Sequence, residues 1–211
     1  MTPKIYLRNN VRAMLCMFLG MFFFSTADAL SKFLTGSLPP MQIAWARWLV
    51  LFCCVIVFIC FRGVKILETN HPFLQIFRGV TVALTVAFFT IGLSFVPLAD
   101  AVAITFITPI IVTILGAYLL GERVGKRRWA AVVIGFFGTL MITQPSFDNF
   151  NSGLLFPFLA AMFFAIRQII SRRVSDNDDV QTTVAYTALT SIFLLSVCLP
   201  FFWVEAPSEQ D

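Results

Sequence analysis

The sequence predicts an all-α fold: a polytopic bundle of helices that threads a lipid bilayer repeatedly. Composition is the first observation behind this. Hydrophobic residues make up 59% of the 211-residue chain and charged residues 12%, with a mean hydropathy of +0.88; a soluble domain carries roughly 25% charged residues. The second is a run of apolar segments close to the roughly 20 residues a membrane helix needs. They are apolar on every face, where a soluble helix keeps a polar side. The third is the placement of Lys and Arg, which sort to alternate breaks between those segments.

Seven spans are expected, at residues 13–33, 41–61, 74–95, 99–120, 129–142, 154–171 and 183–204. The first follows a basic arm, Lys4, Arg8 and Arg12. That arm, the apolar run and Ala27-Asp28-Ala29 also have the form of a signal peptide with its cleavage site. The second opens on Pro39-Pro40, the third on Asn70-His71-Pro72 and the fourth on Pro97. The fifth follows Gly125, the sixth a loop at 145–152 and the seventh a polar stretch at 175–179.

Thirteen of the 15 Lys and Arg lie on the N-terminal arm or at the even-numbered breaks, and only Lys32 and Arg47 fall towards the other side. Positive charge stays on the cytoplasmic side, so residues 1–12 form a cytoplasmic arm and the polar tail 205–211 lies outside. The net charge of +4 is therefore a topology signal and does not point to nucleic acid. The five cysteines lie in or beside apolar runs without CxxC spacing, which argues against a metal or a disulfide framework. The single histidine, His71, sits beside Pro72, and no phosphate-cradling GxxxxGK occurs. With no clustered nucleophile or His/Glu ligand set, an enzyme and a bound cofactor are both set aside.

The stretch 97–142 organises the chain. Two apolar runs flank a turn carrying Glu122, Arg123, Lys126, Arg127 and Arg128. Pro109, in the middle of the first run, removes a backbone donor and deprives the Thr105 carbonyl of its helical partner. With Thr105 and Thr108 beside it, the break is either a substrate-facing kink or one that only shapes the packing. Glu122 and Arg123 make either a gate contact at the inner mouth or a solvated turn.

Near the opposite membrane face, Asp28 and Arg47 are expected to pair, with Lys32 as a competing partner. The pair either lines an external vestibule or locks two helices, and Lys32 either competes or snorkels to the interface. Arg167 and Gln168, with Tyr186, Thr187 and Thr190, are candidates for a polar inner wall that binds an anionic or amide-bearing solute. Arg167 and Arg78 have snorkelling alternatives. Ala131, Gly135, Gly138 and Thr139 offer a small-residue packing face. Trp45, Trp48, Trp129 and Trp203 fall at expected interfaces.

The Pro97-Leu98-Ala99-Asp100-Ala101 entry, the mid-span Pro109, the Gly121-Glu122-Arg123 ending and the Gly-rich helix after it together resemble the EamA-type branch of the drug/metabolite transporter superfamily. The Asp28–Lys32 stretch and the Pro97 entry are most similar to branches that move S-adenosylmethionine or riboflavin. The resemblance implies ten helices in two inverted five-helix repeats. Met21-Phe22-Phe23 and Met162-Phe163-Phe164 fit such a repeat. Residues 13–143 then form a complete first repeat and 152–204 two helices of a second, as though truncated from ten. The resemblance also implies that the first span is retained. The implied function is secondary active transport of an amino-acid-, nucleoside- or vitamin-like solute across the inner membrane, with Asp28 as the candidate for proton coupling. The alternative is a non-transporting helical subunit that needs a partner chain, either a homodimer mate or the missing half.

Overall fold

A computed structural model describes residues 3–121, 124–143, 152–174 and 178–202. They form eight α-helical segments in the order α1 (Pro3–Leu34), α2 (Pro40–Arg62), α3 (Pro72–Phe95), α4 (Leu98–Thr105), α5 (Thr108–Leu119), α6 (Lys126–Thr143), α7 (Leu155–Val174) and α8 (Val180–Phe202). Short 3-10 turns at Val64–Leu67 and Ser152–Leu154 complete the described elements, and no strand occurs among them. The polytopic helical class expected from composition is the class observed.

Six stretches among the described residues are long and apolar enough to cross a membrane: Val11–Leu34, Pro40–Arg62, Pro72–Phe95, Leu98–Leu119, Ser152–Val174 and Val180–Pro200. The remaining expected span, 129–142, is helical as α6. Its first turn holds Lys126, Arg127 and Arg128, so among the described residues its apolar part falls a few residues short of the other spans. Proline opens α2 and α3 at their first turn, where its missing N–H costs no helical bond. Gly63 ends α2 at φ 83° with its N–H on the Ile59 carbonyl, a left-handed conformation that glycine adopts without a Cβ clash.

α3 is the centre. It packs against α7, α8 and α2, while α7 also carries α4 and α5. Small residues on α3 permit this. A Cβ on Gly79 would lie 2.6 Å from Thr190 Cβ on α8, and one on Gly92 would lie 2.7 Å from Pro157 Cδ on α7. Close backbone approach of this kind replaces the hydrophobic driving force that lipid removes. In contrast, Ser31 is the one buried residue from Val11 to Leu34, so α1 rides on the edge of the bundle.

The ends of the helices meet consistently. The Thr69 hydroxyl donates to Asp178, which brings the α2–α3 and α7–α8 connections to one end. Lys32 Nζ donates to the Leu93 and Val96 carbonyls at 2.6 and 3.0 Å, which brings the ends of α1 and α3 together at the other.

Candidate functional site

The Asp28–Arg47 pair forms as expected. Arg47 Nη1 donates to Asp28 Oδ1 at 2.8 Å and to Ser31 Oγ at 3.1 Å. Ser31 in turn donates to the Ala27 carbonyl at 2.7 Å, so α1 supplies a prepared cradle for the guanidinium. Lys32 neither competes for Asp28 nor snorkels. Its ammonium sits on carbonyls at the C-terminal end of α3, where a cation meets the negative end of the helix dipole. Arg47 borders a cleft of about 440 Å³ between α1 and α2, walled by Ala27, Leu30, Leu34, Ile43 and Trp45. This cleft is mostly apolar, so the only charge it offers a solute is one already neutralised.

The Pro109 break is real: the fourth span splits into α4 and α5. Phe106 and Ile107 tighten onto the Ala103 and Ile104 carbonyls at 3.2 and 3.1 Å, the 3-10 pattern common at helix ends. The Thr105 carbonyl is not left bare, because Thr108 Oγ1 donates to it at 2.6 Å. Thr108 is buried and Pro109 is exposed. The break thus satisfies itself locally and keeps one carbonyl lone pair for a further donor. Asp100, in the first turn of α4, is buried at 6% exposure and engaged there.

The densest polar cluster lies where α3, α7 and α8 meet, near the Asp178 end. Arg78 Nε donates to Ser171 Oγ at 2.7 Å, and its Nη1 to the Thr183 carbonyl at 3.2 Å and to Thr187 Oγ1. Arg78 therefore ties three helices together instead of snorkelling. Arg167 lies one turn before Ser171 on the same face of α7, beside the point where Arg78 meets that helix. It stacks 4.2 Å from the Phe164 ring centroid, and its Nε is buried without a hydrogen-bond partner.

From this cationic end the antiparallel α3–α7 seam becomes aromatic. Phe88 stacks on Phe163 at 5.6 Å and 4°, and Phe156 lies 6.4 Å from Phe88 and 5.5 Å from Phe95. A partly exposed phenyl ladder running from two arginines suits a solute with an anionic head and an apolar body.

The remaining expected residues scatter. Gln168 is exposed and does not join Arg167. Tyr186 Oη donates to the Leu67 carbonyl at 3.1 Å, tying α8 to the turn after α2. Thr190 packs on Gly79. Gly135 and Gly138 meet nothing within 4 Å, so the small-residue face of α6 is unpacked within the described chain. Trp45 Nε1 donates to Ser196 Oγ at 2.8 Å, and Trp45 and Trp48 pack on Ala83, Ala87 and Leu195; both are bundle contacts and more than a lipid belt. Glu122, Arg123 and Trp203 lie outside the described residues.

Gln75 and Asp178 escaped sequence reasoning. Gln75 is fully buried on α3, and its Nε2 donates to Asp178 Oδ2 at 2.8 Å and to Thr183 Oγ1 at 3.1 Å. Burial pushes the Asp178 carboxyl up. The bonds from Thr69, Gln75 and the Asn70 amide, with His71 nearby, outweigh that and hold it below its ordinary value. The available signal was a lone Gln one turn into an apolar span, which needs a partner from another helix.

Comparison with known proteins identifies the family. The model of the EamA-like transporter family matches residues 11–144. The chain is 28% identical over 187 residues to the S-adenosylmethionine uptake transporter of Rickettsia prowazekii, covering 88% of this chain and 63% of the relative. It is 31% identical over 166 residues to the riboflavin transporter of Rhizobium johnstonii, covering 77% and 55%. It is 26% identical over 186 residues to the pseudopaline exporter of Pseudomonas aeruginosa, covering 88% and 64%. The chain thus spans less than two thirds of the length of these curated relatives. A solved crystal structure shares the fold at a TM-score of 0.65 and 21% identity, over 84% of this chain and 63% of that one. With well over half of its residues under the family match, the chain belongs to the EamA-like transporter family.

Proposed function

We propose that this chain works as a secondary carrier, or as the larger part of one, moving a small organic metabolite across the inner membrane. Its N-terminus and the Asp178 end face the cytoplasm in this reading. Residues 13–143 act as one five-helix repeat and 152–204 begin an inverted second, with the solute reached alternately from either side. The α3–α7 seam carries the proposal, because it runs from the Arg78–Arg167 end into stacked phenyl rings. Its α7 side also packs against the broken helix α4–α5, a recurrent setting for solute sites in carriers. The names of the relatives support a solute of amino-acid, nucleoside or vitamin type. Glu122 and Arg123 are proposed as gate residues at the cytoplasmic mouth. Asp28 and Arg47 are proposed as a wall of the opposite mouth, with Thr105, Thr108, Gln168 and Tyr186 as further candidate contacts.

Purified protein in proteoliposomes, offered a panel of labelled metabolites, tests the reading. Saturable uptake of at least one solute, accelerated by the same solute preloaded inside, is the expected result. Folded protein that moves none of them faster than empty liposomes contradicts it. A second reading, a helical subunit that works only beside another chain, draws on the open glycine face of α6. It predicts that flux appears only when a second polypeptide is supplied.

A further inference from the structure

We propose that Arg78 and Arg167 form a binding site for an oxyanion, a carboxylate or phosphate group held between α3 and α7. The residues lie six positions into α3 and seven before the end of α7. At 1.5 Å per residue each is roughly 10 Å inside the bundle from the Asp178 end.

Charges at that depth pair with an opposite charge or with backbone carbonyls; Arg78 has one such carbonyl, Arg167 has none, and among the described residues neither has a counterion. Of the five carboxylates among the described residues, Asp28 is engaged by Arg47, Asp178 by Thr69 and Gln75 and Asp100 by its own contacts; Glu68 and Asp179 lie in the connections outside the helices' apolar part and form no ion pair with either arginine. The site is also prepared. Ser171, Thr183 and Thr187 fix the Arg78 guanidinium through Nε and Nη1, and no described bond takes up its Nη2. The Phe164 ring centroid lies 4.2 Å from the Arg167 guanidinium carbon, and the buried Arg167 Nε has no hydrogen-bond partner. Planar guanidinium forks match carboxylate and phosphate oxygens two at a time. A neutral or cationic group at this point would leave both guanidinium charges without an opposite charge. The anion has two sources with the same chemistry: a soluble solute or a lipid headgroup. In the first case the inference deepens the carrier reading and rests on it for the solute's passage, whereas binding stands independently of transport.

The test uses the full chain in nanodiscs and reads the melting midpoint. Inorganic phosphate or succinate is titrated into discs of phosphatidylcholine at fixed ionic strength, with chloride as the control. In a second arm the discs contain phosphatidylglycerol. R167Q is the informative variant, because Arg167 makes no hydrogen bond within the described fold, whereas R78Q removes ties between helices and risks unfolding. A saturable upward shift with phosphate or succinate, lost in R167Q and kept in the surface variant K126Q, is the expected result and assigns the site to a soluble anion. A shift seen only with phosphatidylglycerol and lost in R167Q supports the same site with a headgroup as its occupant. A shift that persists undiminished in R167Q, or no shift in either arm, overturns the proposal. Flux in proteoliposomes is measured separately. Transport without an anion shift removes the site and leaves the carrier standing, and an anion shift without transport does the reverse.

Discussion

Two pairs of charged residues lie between helices at opposite ends of α3, and they are satisfied in opposite ways. At one end Arg47 meets Asp28 at 2.8 Å, leans on Ser31, and has Lys32 beside it capping α3. Every charge there has a partner supplied by the fold. At the other end Arg78 is held by hydroxyls and a carbonyl, Arg167 by a ring face, and neither has a described carboxylate. An ion pair between helices limits their movement and leaves nothing for a ligand. Two arginines without a counterion keep their charge available. On the proposed reading, the first arrangement is a wall of the opposite mouth that locks α1 to α2, and the second is where an anion binds.

Substitutions in both regions would break or sharpen that contrast. The largest effect is expected from R78Q. It removes three hydrogen bonds from a charged group bridging α3, α7 and α8, and should cost about 3 kcal/mol, read as a fall in the detergent melting midpoint. R167Q should move the midpoint far less in the absence of anions, and a fall equal to that of R78Q would mean that Arg167 is a structural residue.

Next comes G79A. Its new Cβ would meet Thr190 Cβ, 2.6 Å away across the α3–α8 contact, and overpacking of this kind costs about 1–3 kcal/mol. Replacing Thr190 with Gly in the same chain should recover most of that loss.

D28N should lower stability by about 1 kcal/mol, the usual scale for polar pairs between membrane helices. The double variant D28N/R47Q should cost less than the sum of the two singles, because it leaves no uncompensated charge. If D28N instead keeps normal abundance and melting but loses flux, the pair belongs to the solute path and the lock reading fails.

The smallest effect is a pH dependence at Asp178. Its carboxyl is held below the ordinary value in the fold, so its contribution is complete above the ordinary carboxylate range. It fades only as pH falls through the lowered folded value. The difference in melting midpoint between wild type and D178N should therefore stay flat from neutral pH down to that range and close in stronger acid. A difference that closes already near neutrality would contradict the hydrogen-bonded carboxylate.

The helical bundle was legible in the sequence because span length, hydropathy and the sorting of Lys and Arg each follow from the bilayer itself. The break at Thr105–Thr108 was legible because Pro109 cannot donate. That Thr108 then occupies the freed carbonyl depends on a side-chain rotamer, which no periodicity reveals. Asp28–Arg47 was legible because both residues sit at matching depth on adjacent helices. Arg78 was not, since snorkelling and bridging need the same residue at the same depth, and the choice rests on Ser171 and Thr187, roughly a hundred residues away along the chain. Lys32 was misread for a related reason: the carbonyls it caps, Leu93 and Val96, belong to another helix. Gln168 drew attention as the neighbour of Arg167, yet consecutive positions on a helix do not share a face.

The difference between the two ends can be observed directly at the arginine side chains. With isotope-labelled arginine, the Nε–H resonances of Arg47 and Arg167 are followed by NMR while phosphate is titrated into the protein in neutral-lipid discs, and again in discs carrying anionic lipid. The account predicts that the Arg167 resonance moves and saturates in one of these conditions while that of Arg47 stays in place. If both resonances move in parallel, or if Arg167 stays still throughout, the two ends are equivalent and the assignment of lock and site is wrong.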